Sequence, residues 1–84
     1  MEVASQGDMK NLLKTVVESL VDDPAKIAIQ ELHTDQAFIF ELQVAKEDVG
    51  KVIGRGGKTA MAIRTILEAA SGKFRKRVIL EILE

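Results

Sequence analysis

The N-terminal part of the chain carries one apolar stripe at helical spacing. Its hydrophobic residues recur three or four positions apart and therefore fall on one side of a helix: Met9, Leu12, Leu13, Val16, Val17, Leu20 and Val21. Asp8 precedes the stripe as a candidate N-cap, and Pro24 follows it where the preceding residue avoids helical geometry. The pattern predicts a helix that ends before Pro24 and turns its stripe toward a core.

A strictly alternating segment follows at residues 37–44. One of its faces collects apolar side chains, namely Phe38, Phe40, Leu42 and Val44. Glu41 and Gln43 lie on the other face, which is typical of a half-buried strand. Thr34-Asp35-Gln36 precedes the segment and is a candidate tight turn.

The segment before this turn, residues 26–34, alternates less regularly. Ile27 and Ile29 share a parity that Leu32 does not share. A β-bulge near Gln30-Glu31 would restore the register. We therefore predict a strand here that pairs with the next one as a hairpin.

Two helices and a last strand are predicted in the second half. Residues 46–53 fit a short helix that must stop at Gly54. A longer helix runs from about Gly57 to Ser71, and Gly72 is its candidate C-cap. The expected buried stripe of this helix comprises Ala60, Ile63, Ile66, Leu67 and Ala70. Alternation then returns in the last strand, with Val78, Leu80 and Ile82 on one face.

The order of these elements is helix, strand, strand, helix, helix, strand, which indicates an α+β fold. The second strand, the helix pair and the third strand form a crossover, and crossovers join parallel neighbours. We therefore expect a three-stranded mixed sheet with the second strand central, antiparallel to the first and parallel to the third. Three helices should cover one face. The opposite face, solvated or open to a partner, should carry Ile39, Glu41, Gln43, Ile79 and Glu81.

Charge is distributed unevenly along this chain of 84 residues. The formal net charge is −1, which argues against nucleic-acid binding if it is taken alone. Residues 1–48 hold four Lys or Arg and ten Asp or Glu, a net of −6, whereas residues 49–84 hold eight and three, a net of +5. A local basic patch on an acidic chain follows from this division.

The basic half opens on a glycine-rich stretch at residues 49–59. This stretch holds four of the six glycines and no acidic residue, and a predicted helix follows it. A glycine turn that leads into a helix presents backbone N–H groups and the positive end of the helix dipole. With Arg55 and Lys58 beside it, the turn is a candidate site for phosphate.

Enzymatic and membrane classes find no support in the sequence. A nucleotide-hydrolase P-loop would need glycine at Val52, and the dinucleotide-binding spacing is absent. There is no cysteine, and His33 is the only histidine, so neither a metal site nor a nucleophile–base set is evident and no cofactor is expected. No apolar run approaches the length that spans a bilayer. We expect a non-catalytic cytoplasmic protein.

The sequence Gly54-Arg55-Gly56-Gly57-Lys58 between two helices, with strands outside them, resembles the Gly-x-x-Gly corner of a KH domain of type II. Residues 9–83 are similar to the KhpA (YlqC) family of small bacterial single-KH RNA-binding proteins. The resemblance is carried by the run Glu47 through Lys58 and by Ala62-Ile63-Arg64-Thr65. Two positions depart from the family pattern: Lys46 stands where proline is common, and Gly56 where a polar side chain is common.

The resemblance implies that the glycine corner grips the backbone of single-stranded RNA in a groove for about four nucleotides. Amides of Gly56, Gly57 and Lys58 would face phosphates. The expected RNA-binding residues are Gly54, Arg55, Gly56, Gly57, Lys58, Lys51, Val49, Ile53 and Arg64. Val52 and Ile63 are further candidates for the groove floor, and spacing alone does not sort floor from core. Without Tyr or Trp, recognition should depend on backbone charge more than on base stacking.

The resemblance further implies an RNA chaperone or post-transcriptional regulator that pairs with itself or with a second KH-containing protein of the KhpB (Jag) type. The alternative is a protein-interaction or ribosome-assembly module whose KH surface contacts mainly protein. We expect residues 1–8 to be a flexible extension and residues 9–84 to form the single KH domain. Residues 73–77 are either a second phosphate contact, with Phe74 exposed, or a solvated loop.

Overall fold

A three-stranded sheet with helices packed on one face forms the protein. The computed structural model describes residues 6–84, so residues 1–5, most of the predicted flexible extension, lie outside the described residues. The helices and strands are α1 Gln6–Glu18, β1 Ala28–His33, β2 Ala37–Gln43, α2 Val49–Ile53, α3 Lys58–Ala70 and β3 Arg77–Ile82. Short 3₁₀ turns lie at Pro24–Lys26, Lys46–Asp48, Arg55–Gly57 and Gly72–Phe74. The predicted α-β-β-α-α-β order is confirmed.

Strand β2 is the centre of the sheet, as the predicted crossover requires. It pairs antiparallel with β1 and parallel with β3. The tight turn before it is held by Thr34, whose Oγ1 accepts hydrogen bonds from the N–H groups of Gln36 and Ala37. The parallel pair requires the chain to cross the sheet between Gln43 and Arg77, and α2 and α3 lie in this crossover.

The core lies between β2 and the helices. The side chains on the helix-facing side of β2 are fully buried, and Phe38 and Phe40 are the largest of them. They are covered by buried residues of the other elements, namely Met9, Leu13, Val17, Val52, Ile63, Leu67 and Val78. The apolar stripe of α1 therefore faces a core, as predicted.

Helix α1 begins and ends earlier than the sequence suggested. It starts at Gln6, so Asp8 lies within its first turn. It ends at Glu18, because the N–H groups of Ser19 and Leu20 donate to carbonyls only three residues back, which tightens the chain into a turn. Pro24 does not end the helix, and it instead begins a 3₁₀ turn.

The bulge predicted in β1 does not form. Residues 28–33 pair one for one with residues 43–38, so Leu32 lies on the open face of the sheet with 51% of its surface exposed. Glu31 takes the helix-facing position instead. Its Oε2 is buried without a hydrogen-bond partner, and this burial raises the pKa of Glu31, against the opposing charges of His33 and Lys10. An edge strand such as β1 tolerates a glutamate on its inner face and a leucine on its outer face, because it lies at the margin of the core.

The predicted stripe of α3 is right for Ile63 and Leu67 and wrong for Ile66. Ile63 and Leu67 are buried, whereas 44% of the surface of Ile66 is exposed. Gly72 is not the C-cap, because Ser71 occupies that position in helical geometry. The left-handed residue that turns the chain toward β3 is Arg75, with φ of 56°.

Two chain segments, the connection after α1 and the start of α2, meet in a charged cluster that we call the Asp48 cluster: Asp22, Asp23, Asp48 and Lys51. Asp48 is buried, and its carboxylate accepts hydrogen bonds from Lys51 Nζ at 2.8 Å and from the Asp23 N–H at 3.0 Å. Lys51 Nζ also donates to Asp22 at 2.8 Å. The hydrogen bond from Lys51 is the main cause that lowers the pKa of Asp48. Hydrogen bonds to Asp22 and Asp48 in turn raise the pKa of Lys51 above its ordinary range.

The different environments of Leu67 and Ile66 predict different costs of truncation. Leu67→Ala should lower the free energy of unfolding by about 2–5 kcal/mol, because it leaves a cavity in the core. The matched control Ile66→Ala, one residue away in α3, should change it by less than about 1 kcal/mol. Urea unfolding of the two variants measures both values, and equal losses would contradict the placement of the helix.

The Asp48 cluster predicts a loss of stability in acid. Because the pKa of Asp48 is lowered in the fold, its contribution is complete above the ordinary value of about 3.9 and is lost as the pH falls through the folded value. Thermal unfolding from about pH 6 to about pH 2 should show this decline.

Two variants separate the groups that titrate in this range. Asp48→Asn should flatten the decline in stability. Glu31→Gln should steepen it, because the raised pKa of Glu31 favours the fold as the pH falls and so opposes Asp48. A decline of the same slope in the wild type and in Asp48→Asn would exclude Asp48 as its source.

Candidate nucleic-acid interface

The corner between α2 and α3 begins at Gly54, a position that admits only glycine. Gly54 has φ of 75°, and its N–H donates to the Gly50 carbonyl at 2.9 Å, which closes α2. A Cβ atom at Gly54 would lie 2.8 Å from the backbone nitrogen of Thr59 and closer still to the Thr59 side chain. Both the backbone conformation and the approach of α3 therefore require glycine here.

The next two glycines hold consecutive left-handed conformations. Gly56 has φ of 62° and Gly57 has φ of 78°, and a Cβ atom at either position would meet nothing within 4 Å. Glycine is favoured at these positions by the backbone conformation alone, and the space around them is open. The corner thus presents bare backbone at its surface.

Two of the amides expected to face phosphate are used inside the corner. The Gly57 N–H donates to the Gly54 carbonyl at 3.1 Å, and the Lys58 N–H donates to the Arg55 carbonyl. Helix α3 follows at once, and no side chain caps its N-terminus. The Gly56 amide and the first free amides of α3 remain as the donors that the corner presents to an anion.

Basic side chains border the corner on the α3 side. Arg55, Lys58 and Arg64 are exposed, and none of them forms an ion pair with another residue of the described range 6–84. Arg64 lies on α3 beyond Lys58. These three side chains are therefore available to an external anion.

Lys51 is differently placed from the other predicted cations. Its ammonium is bound to Asp22 and Asp48 in the cluster described above. Its charge is therefore already balanced within the protein.

Two shallow cavities lie beside α2 and α3, and one of them includes a residue of the corner. One, of about 210 Å³, lies between the start of α3 and β3 and is lined by Gly57, Ala60, Met61, Arg64 and Leu80. The other, of about 320 Å³, lies at the ends of β2 and β3 and is lined by Gln43, Val44, Lys46, Val49, Leu83 and Glu84. The structure therefore brings the glycine corner, a predicted cation and apolar side chains to the same surface.

The structure also sorts the apolar candidates that spacing left open. Val52 and Ile63 face the core and are buried, whereas Val49 and Ile53 are half-buried, and Val49 lines the second cavity.

Sequence reasoning missed most of the residues that line the cavities, and the large apolar ones among them are Met61, Leu80 and Leu83. Met61 could have been found, because it lies four residues after Gly57 and so on the same face of α3. Leu80 and Leu83 depend on how β3 packs beside the crossover, which local spacing does not report.

Residues 73–77 do not form an exposed aromatic contact. Phe74 is half-buried, and its ring meets the edge of Phe38 at a centroid distance of 5.4 Å, so the expected exposure of Phe74 is wrong. Lys76 Nζ lies 5.0 Å from the centroid of the Phe38 ring, a cation–π geometry. Arg77 begins β3 on the open side of the sheet. Lys76 and Arg77 therefore lie on different sides of the sheet and do not form one basic patch.

The described residues contain no helix long and apolar enough to cross a membrane. Within the same range, 6–84, no three acidic or histidine side chains are grouped so that they could hold a metal ion.

The chain is similar to known KH-domain proteins. The family model for the KH domain of KhpA and KhpB matches residues 10–82. The chain is 51% identical over 75 residues to the RNA-binding protein KhpA of Caldanaerobacter subterraneus subsp. tengcongensis, which covers 89% of this chain and all of that relative. The RNA-binding protein KhpA of Clostridium acetobutylicum gives the same identity and coverage.

A more distant relative, the RNA-binding protein KhpA of Listeria monocytogenes, is 42% identical over 76 residues, which is 90% of this chain and all of the relative. No solved structure was found to match the chain. The family model spans the sheet, the helices and the glycine corner. This chain therefore belongs to the KhpA/KhpB family of KH-domain proteins.

Proposed function

We propose that the protein binds single-stranded RNA without catalysis and grips the RNA backbone at the corner Gly54–Lys58. The observation that carries the proposal is the bare left-handed backbone at Gly56 and Gly57, which leads directly into the uncapped N-terminus of α3. Exposed Arg55 and Lys58 add charge beside it. The relatives that bear the name RNA-binding protein KhpA make RNA the favoured anion.

The RNA path that fits this surface runs along the groove beside the corner. Phosphates would lie at the Gly56 amide, at Arg55 and at Lys58, and Arg64 would extend the path along α3. Bases would rest on the half-buried apolar residues Val49 and Ile53 and on the cavity beside Met61. A groove of this kind accommodates about four nucleotides. Sequence preference should be weak, because the described cavities contain no aromatic side chain.

A role as an RNA chaperone or post-transcriptional regulator in the cytoplasm follows from weak, general binding to the RNA backbone. A site for four nucleotides gives limited affinity by itself. Pairing with a second copy, or with a KH-containing protein of the KhpB type, would raise avidity by linking two such sites.

A second candidate function is a protein-interaction or ribosome-assembly module. The open face of the sheet favours it, because Leu32, Ile39 and Ile79 are aligned in one row across the three strands. Leu32 and Ile79 are exposed. An apolar row on a solvated sheet is a feature of protein contact surfaces.

Charge reversal at the corner separates the two candidates. Arg55→Asp combined with Gly56→Asp should abolish the binding of a short single-stranded RNA in a gel shift at moderate salt, because two acids would face the phosphates. The control Lys14→Asp with Asn11→Asp makes the same change of charge on exposed positions of α1 outside both cavities. Binding that survives the change at the corner would exclude the corner as the RNA site.

Salt dependence counts the phosphate contacts. Neutralising either Arg55 or Lys58 with glutamine should weaken binding and lower the slope of log affinity against log salt by about 0.7, the value for one contact to a single strand. Fluorescence anisotropy at several salt concentrations measures the slope. Lys14→Gln should leave it unchanged, and a slope that is insensitive to Arg55 and Lys58 would contradict the proposed phosphate path.

A further inference from the structure

The Asp48 cluster joins α2 to the connection between α1 and β1. Lys51 Nζ lies 2.8 Å from a carboxylate oxygen of Asp22 and 2.8 Å from one of Asp48. The other oxygen of Asp48 accepts the N–H of Asp23 at 3.0 Å. Asp48 is 1% exposed, so this junction is built into the fold.

Helix α2 needs such external support. With five residues, from Val49 to Ile53, it is far shorter than a helix that is stable by itself. Val52 holds one side of it in the core. Lys51, the neighbouring position, points about 100° away around the helix axis and is bound to the Asp48 cluster. Two anchors on different sides fix the rotation of α2.

The rotation of α2 determines where the glycine corner begins. Gly54 follows Lys51 by one helical turn, and its N–H is bonded to the Gly50 carbonyl at the end of α2. The space at Gly54 is closed by Thr59, so a change in the direction of α2 would be transmitted to the start of α3. The Gly56 amide lies between these two helices.

We propose that Lys51 is a positioning residue that, with Asp48 and Asp22, clamps α2 and thereby sets the geometry of the RNA-binding corner, and that it does not contact phosphate. The proposal rests on the proposed function for its effect on RNA. Lys51 and the two carboxylates that it binds, Asp22 and Asp48, together have a net charge of −1, so Lys51 adds no positive field for a phosphate. A phosphate that reached it would have to displace a carboxylate.

The first test needs no RNA. Lys51→Met keeps the length of the stem and removes the charge, so the hydrogen-bonded amides of Gly54, Gly57 and Lys58 should exchange with deuterium several-fold faster than in the wild type. Lys14→Met on the exposed side of α1 is the matched control and should leave their exchange unchanged. Unchanged exchange at the corner in Lys51→Met would overturn the clamp.

The second test measures RNA affinity against salt. If Lys51 positions the corner, Lys51→Met should weaken binding by a similar factor at every salt concentration and keep the slope of the wild type. If Lys51 contacts phosphate, the slope should fall by about 0.7. The reduced slope would overturn the assignment of Lys51 as a positioning residue.

Asp48→Asn gives a test of opposite sign. It removes a negative charge near the RNA site, so a purely electrostatic account predicts tighter binding. The clamp predicts weaker binding, because the junction with Lys51 and Asp23 is loosened. Circular dichroism should confirm that Asp48→Asn is folded at the temperature of the assay. If Asp48→Asn is unfolded, the Lys51→Met variant decides between the clamp and the electrostatic account.

The proposed function and the clamp fail in distinguishable ways. A wild-type protein that does not bind single-stranded RNA would refute the function, and amide exchange would still decide whether Lys51 holds the corner. A wild type that binds RNA, together with a Lys51→Met variant whose exchange is unchanged, would refute only the clamp.

Discussion

The parallel pairing of β2 with β3 is the constraint on which the rest of the structure depends. Parallel neighbours cannot be joined by a tight turn, so the chain must leave the sheet after Gln43 and return at Arg77. The helices that make this crossover have to bury one side against β2, and Val52, Ile63 and Leu67 do so. The glycine corner is the bend between these helices. It is exposed because the buried residues of α2 and α3 hold both helices against the core and leave the bend at the surface.

Much of the fold follows from periodicity, since its strongest signals coincide with burial on one side only. The alternation around Phe38 and Phe40 identifies the central strand, and the stripe of α1 identifies its covering helix. The sequence misassigns which side chains face inward where a strand or helix lies at the margin of the core. At Glu31 and Leu32 the pairing partner decides which side chain faces inward, and Ile66 lies at the exposed border of the α3 stripe. Neither is encoded in local spacing.

The candidate site divides in the same way. Gly54, Gly56 and Gly57 are predictable because a left-handed backbone leaves a direct trace in residue type. The contact of Lys51 with Asp22 is not predictable, because the two residues are 29 positions apart and become neighbours only when the connection after α1 meets α2. A lysine next to a glycine turn therefore indicates phosphate binding by analogy, whereas its actual contacts are with carboxylates.

The separation along the chain between β2 and β3 also has a consequence for folding kinetics. The β1–β2 hairpin closes a turn of three residues, whereas pairing of β3 must close the whole loop of residues 44–76. Parallel pairing over this separation is slow relative to the formation of a local hairpin, because the chain must lose loop-closure entropy before the strand contacts form. We expect the hairpin to form before the glycine corner, which is complete only when the last strand has docked.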